Sequence, residues 1–223
     1  MLPIRDINRP ERSPVITKAL VAINVAVFLL TYFRPRREFI EIVRAFGVKP
    51  AMLLSGKELY TLFTSMFLHG DIHHIFGNML YLWIFGDNVE DRMGHGKFLA
   101  FYLLSGVAGA LVQSLITPNS LVPMIGASAA ISGVLGAYFV LFPWARILTI
   151  VMGMFVWLVE VPAYFYLGTW FLLQLLYGVV SLGGYPVPVA FWAHAGGFAF
   201  GALVAVAARG RLERRREYYV VWV

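Results

Sequence analysis

Two residues with side chains suited to nucleophilic and acid–base chemistry stand in apolar surroundings rich in small residues. Ser128 opens an apolar run and follows Gly126 and Ala127, while His194 lies 66 residues later, in the segment 192–198 (Trp-Ala-His-Ala-Gly-Gly-Phe). A serine hydroxyl becomes a nucleophile when a base accepts its proton, and histidine is the side chain that most often does so. The pair therefore indicates a nucleophile and its base, if the fold brings them together.

The same two residues also fit structural roles. Serine is a preferred N-cap residue, so Ser128 could cap the helix that the apolar run predicts. His194 could be a core histidine bonded to a backbone carbonyl, part of a proton relay, or a metal ligand. A histidine inside an apolar span is costly without a partner, which favours a partner such as Ser128. The residues alone leave these alternatives open.

A second group of polar residues precedes this pair in the chain. His74 and Asn78 are four residues apart and share one face of a helix. Both can donate hydrogen bonds, as an oxyanion hole requires. His69 and His73 have the same spacing, with Asp71 between them, so metal binding is the alternative. The His-Glu-x-x-His zinc signature is absent, however.

Composition places the chain in a membrane. The 223 residues are 60% hydrophobic, with a mean hydropathy of +0.74, and the number of long apolar runs predicts a polytopic membrane protein. The absence of cysteine excludes disulfides, thiolate metal sites and cysteine nucleophiles. The net charge of +6 is concentrated at the two ends and near residue 35, which favours membrane topology over nucleic-acid binding as its cause.

The apolar runs predict an all-α polytopic membrane protein of six spans with an interfacial 1–2 loop. We expect a cytoplasmic N-terminal arm (1–14), a membrane domain (15–208) and a basic cytoplasmic C-terminal tail (209–223). The predicted spans are 16–33, 72–87, 98–116, 128–142, 161–180 and 189–208. Residues 34–60 are expected to form the interfacial loop with short helices, residues 87–97 a polar turn, residues 146–159 an interfacial connection, and residues 183–188 a loop.

The distribution of lysine and arginine predicts the orientation. These residues concentrate in the N-terminal arm, the 2–3 turn and the C-terminal tail, while the 3–4 and 5–6 loops have none. The 1–2 loop has six, but a long interfacial loop weighs less in this rule. We therefore expect both termini in the cytoplasm and Ser128 towards the outer face. The fourth span is short, so that Ser128 lies below the membrane surface.

A Ser128–His194 contact requires close packing of the fourth and sixth spans. Gly197 and Gly201 form a small-xxx-small pattern in the sixth span, and the fourth span offers small residues on adjoining faces, namely Ser128, Ser132, Gly133 and Gly136. The pattern predicts that the two helices approach closely, although such patterns also occur without any chemistry.

Four segments in this order resemble motifs of the rhomboid intramembrane serine proteases. They are His74–Asn78 in span 2, the turn Gly86–Arg92 with its Glu-x-Arg pair, the elbow Gly126–Ser128, and Trp192–Phe198 around His194. The resemblance covers roughly residues 15–208 and includes the six spans and their loop lengths.

The resemblance implies an intramembrane serine endopeptidase with a Ser-His dyad. Ser128 would attack the scissile carbonyl, His194 would act as general base and then acid, and His74 and Asn78 would line the oxyanion hole with the Ser128 N–H.

Gly126, Ala127 and Ala129 are the substrate-binding residues, where the backbone approaches the substrate. The family cuts transmembrane protein substrates that enter laterally from the lipid bilayer, past span 5 and the 5–6 loop. It uses no metal, nucleotide or other cofactor, and nucleic acid is not a partner. We expect a multi-pass protein of a prokaryotic plasma membrane, because the chain is little more than the six-span core.

The chain departs from the family pattern at a few positions. Ala129 follows the nucleophile where the usual motif has glycine, Ser132 stands where some members have tyrosine, and Tyr60-Thr61 replaces a Trp-Arg pair. A methyl group at Ala129 would crowd the site if the position needed a positive φ or lay against span 6. This keeps a catalytically inactive rhomboid-like client-binding protein as an alternative. A small transporter or channel is a further one, although no inverted repeat is evident.

Overall fold

Six long helices make up most of the described chain, and a three-stranded sheet lies at one end of them. The computed structural model describes residues 1–8, 10–152, 156–183 and 189–217, and the side chains of 211–217 lie outside this description. In chain order the elements are β1 (Leu2–Asp6), α1 (Val15–Tyr32), α2 (Arg36–Phe46), α3 (Pro50–Leu54), α4 (Thr61–Thr64) with a 3₁₀ turn (Ser65–Phe67), α5 (Ile72–Met93), α6 (His95–Ile116), α7 (Ser128–Leu141), β2 (Arg146–Met152), β3 (Val156–Pro162), α8 (Ala163–Ser181) and α9 (Phe191–Glu217).

The predicted spans correspond in order to α1, α5, α6, α7, α8 and α9. Among the described residues, four helices are long and apolar enough to cross a membrane: α1, α6, α8 and the part of α9 from Phe191 to Gly210. Helix α5 has 22 residues, but its histidine, asparagine and acidic side chains lower its mean hydropathy. Helix α7 has 14 residues and is about 21 Å long, which is less than the roughly 30 Å of a bilayer's hydrocarbon core. The all-α membrane fold is thus confirmed, and a small sheet is added to it.

The polar turn predicted for residues 87–97 is wrong, because α5 continues through most of it and ends at Gly94. The polar side chains of this last part of the helix bind the N-terminal arm. The Glu90 carboxylate accepts hydrogen bonds from Ile16 N (2.8 Å), Thr17 N (2.7 Å) and Thr17 Oγ1 (2.7 Å), and it therefore caps the start of α1. Asp91 accepts from the backbone N–H groups of residues 11 and 12. The N-terminal residues are therefore fixed to α5.

The segment expected to form an interfacial connection, residues 146–159, contains β2 and the start of β3. Strands β2 and β3 pair antiparallel from Arg146↔Pro162 to Met152↔Val156, and β1 pairs antiparallel with β2 on its other edge. Residues 153–155, between the two strands, lie outside the described residues. The segment is rich in valine and isoleucine, which favour strands, and it is too short to cross a membrane alone. The fifth span consequently starts at Ala163, directly after β3.

Asp6, at the end of β1, anchors the sheet to the helices. Its Oδ2 accepts hydrogen bonds from Tyr138 Oη (2.6 Å) in α7 and from Asn88 Nδ2 (2.7 Å) in α5. Burial raises the pKa of Asp6 from 3.8 to about 7, despite these two donors. Because the folded protein binds this proton more tightly than the unfolded chain does, the resulting stability is lost as pH rises from about 4 to about 7.

Helix α7 lies at the centre of the bundle and contacts α5, α6, α8 and α9. Every residue from Ala130 to Tyr138 is buried. The predicted close packing of the fourth and sixth spans is confirmed. A side chain at Gly201 of α9 would overlap the backbone oxygen of Gly133 in α7, and one at Gly197 would overlap the backbone oxygen of Ala129.

The interfacial 1–2 loop contains the short helices α2, α3 and α4. Helix α2 buries none of its residues, and its amphipathic sequence suits the headgroup region where we expected it. Tyr60 Oη donates to Ala45 O (2.8 Å), which ties α2 to α4. The loop reaches the start of α7 through Val48, which exchanges two backbone hydrogen bonds with Met124.

The last predicted elements extend past the described residues. Most of the predicted 5–6 loop, residues 184–188, lies outside them, as do residues 218–223 of the C-terminal tail. Helix α9 starts at Phe191 and continues to Glu217, so it runs beyond the predicted end of the sixth span and into the basic tail segment.

Candidate active site

Ser128 is the first residue of α7, and its side chain points away from a capping position. The N-cap is Ala127, and no side-chain cap hydrogen bond is formed at this helix end. Gly126, just before it, has φ +118°, a conformation that only glycine adopts readily, and its N–H donates to Ser65 O (2.9 Å). This bend directs the chain into α7 with the Ser128 hydroxyl free for another partner. The helix-cap alternative is therefore wrong.

His194 lies in the first turn of α9 and not in mid-span. Its N–H bonds to Ala190 O (3.3 Å), and the free end of the helix is capped by a side chain from α6. Gln113 Oε1 accepts from Trp192 N (3.1 Å) and Ala193 N (3.3 Å). Ser128 and His194 thus both lie at the N-terminal ends of their helices, at the end of the bundle opposite the sheet.

The two side chains form a hydrogen bond. Ser128 Oγ and His194 Nε2 are 2.8 Å apart. The other ring nitrogen, Nδ1, is 2.8 Å from Gln174 Oε1 in α8, and the His194 ring lies 6.0 Å from the Trp170 ring, tilted by 30°. Some family members carry tyrosine at the position of Ser132. Here, Ser132 Oγ donates a hydrogen bond to Ser128 O (2.6 Å). Gln174 and Trp170 from α8 orient the imidazole instead.

His74 and Asn78 lie on the inner face of α5, close to the bend before Ser128. Asp71 caps this helix by accepting from His74 N (2.9 Å). The backbone N–H of residue 70 donates to His74 Nδ1 (3.4 Å), so that Nε2 carries the ring proton. A side chain at Gly126 would lie 2.6 Å from His74 Nε2 and 3.8 Å from Asn78 Nδ2. The structure therefore brings both donors beside the backbone that precedes Ser128.

Ala129 fits its position without strain. It lies within α7, and Glu58 is the non-glycine residue of positive φ in the described chain. The Ala129 methyl group faces α6, where Gly109 leaves space for it: a side chain built on Gly109 would lie 2.9 Å from the Ala129 Cβ. The crowding that the sequence analysis considered is therefore avoided by a glycine on the neighbouring helix.

A small cavity opens beside Ser128. Its volume is about 40 Å³, and among its lining residues are Gly126, Ser128 and Ala129 from the start of α7 together with Ala193 from α9. Its walls are mostly apolar, with Ser65 and Ser128 as the polar side chains among the lining residues. A cavity of this size beside a nucleophile admits water and small chemical groups.

The alternative of a metal site at His69 and His73 required both residues to share one face of a helix, and they do not. Helix α5 begins at Ile72, and His69 precedes its N-cap Asp71, so the i,i+4 geometry does not apply. His69 is buried, and burial lowers its pKa to about 4, which keeps the ring neutral. Within the described parts of the chain, no three histidine, cysteine, aspartate or glutamate side chains are arranged to hold a metal ion.

The sequence analysis missed two glutamines of the site. Gln113 caps α9, and Gln174 bonds to His194. Both lie in apolar helices, where a polar side chain needs a partner, and that cost is the signal that could have identified them.

Comparison with known proteins shows the family of the chain. A model of the Rhomboid domain matches residues 56–211. The chain is 36% identical over 124 residues to "Rhomboid protease GluP" of Bacillus subtilis (strain 168), which covers 56% of this chain and 24% of that protein. It is 34% identical over 141 residues to "Rhomboid protein 1, mitochondrial" of Saccharomyces cerevisiae (60% and 38%). "Rhomboid-like protein 11, chloroplastic" of Arabidopsis thaliana is 27% identical over 157 residues (68% and 52%).

These matches span between 24% and 52% of the relatives' own lengths. The matched Rhomboid domain, residues 56–211, runs from the 1–2 loop to the end of the apolar part of α9 and contains both Ser128 and His194. The chain is an integral multi-pass membrane protein that belongs to the rhomboid family.

Proposed function

We propose that the protein is an intramembrane serine endopeptidase that hydrolyses peptide bonds in or near the transmembrane segments of other membrane proteins. The observation that carries the proposal is the distance of 2.8 Å between Ser128 Oγ and His194 Nε2. This lies within the reach of roughly 2.6–3.2 Å that a general base needs to take a proton from a nucleophile.

In the acylation step, His194 first takes a proton from Ser128 and then gives it to the leaving group. Ser128 Oγ attacks the scissile carbonyl carbon and forms a C–O bond, while its proton moves to His194 Nε2. The tetrahedral intermediate then collapses, the C–N bond breaks, and His194 returns the proton to the leaving amine. An acyl-enzyme on Ser128 remains.

The oxyanion of the intermediate lies between α5 and the start of α7. We assign its donors to the Ser128 N–H, to His74 Nε2–H and to Asn78 Nδ2–H. The proposal is supported by the position of both side chains beside Gly126 and by the hydrogen bond at His74 Nδ1, which leaves the Nε2 proton free. The N-terminus of α7 adds its partial positive charge.

The deacylation step needs water inside the bundle. A water molecule attacks the acyl carbonyl and gives a proton to His194. The bond from the acyl carbon to Ser128 Oγ then breaks, His194 returns the proton to Oγ, and the carboxylic acid leaves. The cavity of about 40 Å³ beside Ser128 supports this step, since one water needs roughly 10–15 Å³ of such space.

Transmembrane segments are the substrates we infer, entering sideways from the lipid bilayer along α8. Helix α8 exposes large apolar side chains, including Phe165, Leu172 and Leu176, which suit contact with lipid or with another apolar helix. The 5–6 loop, which the family resemblance gives a part in this gate, lies largely outside the described residues.

We further infer that both termini face the cytoplasm and that the dyad opens to the outer face, on the distribution of lysine and arginine. A prokaryotic plasma membrane remains our prediction for the location. Protease digestion of sealed vesicles of known orientation, with tags on each terminus, tests the orientation.

Cleavage of a detergent-solubilised model transmembrane substrate tests the function. Ser128→Ala and His194→Ala are each expected to abolish turnover, and cleavage that survives Ser128→Ala would remove the nucleophile assignment. A serine-reactive fluorophosphonate separates the peptidase from the inactive client-binding alternative, because only a competent nucleophile is labelled at Ser128. Solute flux in proteoliposomes tests the transporter alternative.

The oxyanion donors have their own test. His74→Ala and Asn78→Ala are each expected to lower kcat on the order of 10²–10³-fold, the usual loss for one oxyanion-hole donor. An unchanged kcat for either variant would exclude that residue from the oxyanion hole.

A further inference from the structure

Gln174 is a buried amide in an otherwise apolar stretch of α8. Its side chain is 9% exposed, and the residues around it in the helix are leucines and valines on the lipid side. A buried amide in such surroundings is costly unless both its oxygen and its nitrogen are bonded. Gln174 has both partners: Oε1 is 2.8 Å from His194 Nδ1, and Nε2 donates to Trp170 O at 3.4 Å.

The Trp170 carbonyl fixes which way the amide faces. A backbone carbonyl only accepts hydrogen bonds, so the NH₂ group of Gln174 must point to it and Oε1 must point to the imidazole. With an acceptor at that place, His194 Nδ1 has to carry the ring proton. The reverse orientation of the amide would place a donor against Nδ1 and leave the carbonyl of Trp170 facing an oxygen.

The position of this proton determines whether His194 can act as a base. A neutral imidazole has one N–H and one lone pair. Because the proton is on Nδ1, the lone pair is on Nε2, which faces Ser128 Oγ at 2.8 Å. In the other tautomer Nε2 would present a proton to Ser128 and could not accept one. In serine proteases with an aspartate at the corresponding place, the wrong tautomer costs about 10⁴ in kcat.

We propose that Gln174 is a positioning residue that holds His194 in the base-competent tautomer, as the uncharged counterpart of the acid in a Ser-His-Asp triad. The inference rests on the peptidase function proposed above. Gln174 keeps its hydrogen bond to Nδ1–H when Nε2 accepts the serine proton, so the amide dipole also stabilises the imidazolium. Since Gln174 comes from α8, the base-competent site is complete only while α8 lies against α9.

Three variants on α8 test the proposal. Gln174→Met keeps the length of the side chain and removes the acceptor, and Leu173→Met is the matched control on the lipid-facing side of the same helix. Gln174→Glu keeps an acceptor for Nδ1–H in either protonation state, because a protonated carboxyl group can donate to the Trp170 carbonyl and accept through its other oxygen. Thermal unfolding of each variant in detergent verifies that the protein tested is folded.

Two readouts separate positioning from a structural effect. For Gln174→Met we expect kcat and the rate of fluorophosphonate labelling at Ser128 to fall together, on the order of 10-fold for the loss of one hydrogen bond, with KM unchanged. The probe does not dock along α8, so its labelling rate reports the nucleophile alone. For Gln174→Glu we expect kcat and the labelling rate to stay well above those of Gln174→Met, because the acceptor for Nδ1–H is retained.

Several results overturn the inference. They are a Gln174→Met variant with the kcat and labelling rate of Leu173→Met, a Gln174→Met variant in which KM alone changes, and a folded Gln174→Glu variant whose kcat falls as far as that of Gln174→Met. Failure of the proposed function looks different, because then Ser128→Ala would retain cleavage or the unmodified protein would not be labelled at Ser128.

Discussion

The contact between α7 and α9 sets the distance within the dyad, so enlarging one glycine of that contact tests the whole arrangement. Gly201 lies on α9, seven residues after His194, which is about two helical turns or ~10 Å along the axis. A Cβ at this position would lie 2.6 Å from the carbonyl carbon and 2.7 Å from the Cα of Gly133, and closer still to its oxygen. Gly201→Ala touches neither catalytic side chain.

The size of the effect follows from these distances. Ordinary van der Waals contact begins near 3.4 Å, so the carbonyl carbon alone requires the helices to separate by about 0.8 Å, the difference between 3.4 and 2.6 Å, and the nearer oxygen requires more. If α9 moves as a rigid body, the Ser128–His194 distance grows from 2.8 Å to at least about 3.6 Å, which is too long for a hydrogen bond. A misplacement of about 1 Å can cost 10²-fold in rate, so we expect kcat to fall on the order of 10²-fold. Overpacking should also lower the free energy of unfolding by about 1–3 kcal/mol.

Gly210→Ala is the matched control for this experiment. It makes the same substitution on the same helix, and among the described residues nothing lies within 4 Å of a Cβ built there. The assay compares kcat on a transmembrane substrate, the labelling rate of Ser128, and the unfolding temperature in detergent for both variants. If Gly201→Ala matches Gly210→Ala in all three, the helix contact does not determine the dyad geometry and the reasoning is refuted.

Three further predictions concern single positions around the site and the sheet. Gly126→Ala should lower kcat at least about 10²-fold, the loss expected for one oxyanion donor, because φ of Gly126 is +118° and the new Cβ would lie 2.6 Å from His74 Nε2. Gly77→Ala on α5 is the control and should not lower kcat in this way, because a Cβ built there meets open space in the described structure. Ala129→Gly should change kcat less than about 3-fold and lower the free energy of unfolding by roughly 1 kcal/mol, the cost of glycine in a helix; a large gain in kcat would show that the methyl group obstructs the site. Asp6→Asn should remove a pH dependence of stability, so that its unfolding temperature relative to the unmodified protein rises between about pH 4 and pH 7 and then stays level; a constant difference over that range contradicts the raised pKa.

The sequence predicted those parts of the fold that depend on long apolar runs. The positions of α1, α6, α7 and α8 follow from such runs within about three residues, because a helix in lipid must satisfy its own backbone and needs a fixed length. The glycine pattern in the sixth span also predicted the close approach of α9 to α7. Four of the six polar side chains at the site, Ser128, His194, His74 and Asn78, were identified from their types and spacing.

The parts that were not predicted depend on contacts between distant segments. The polar residues of 87–93 have the composition of a turn, yet they remain helical because Glu90 and its neighbours bind the N-terminal arm. The sheet requires β1, and β1 is separated from its partner strand by more than a hundred residues. Gln174 has no local signature beyond its polarity, and its role is set by an imidazole 20 residues away on another helix. No local pattern could reveal these pairings.

The geometry of the site is set by helix packing and not by the chain that connects its residues. The 65 residues between Ser128 and His194 include β2, β3 and α8, and none of these elements sets the distance of 2.8 Å between the two side chains. That distance follows from two helices that run in the same direction, begin at the same end of the bundle, and meet backbone to backbone at Gly197 and Gly201. Side chains from neighbouring helices then orient the pair. Changes in β2 and β3 should therefore leave the dyad distance unchanged, whereas a single methyl group at the glycine contact should lengthen it.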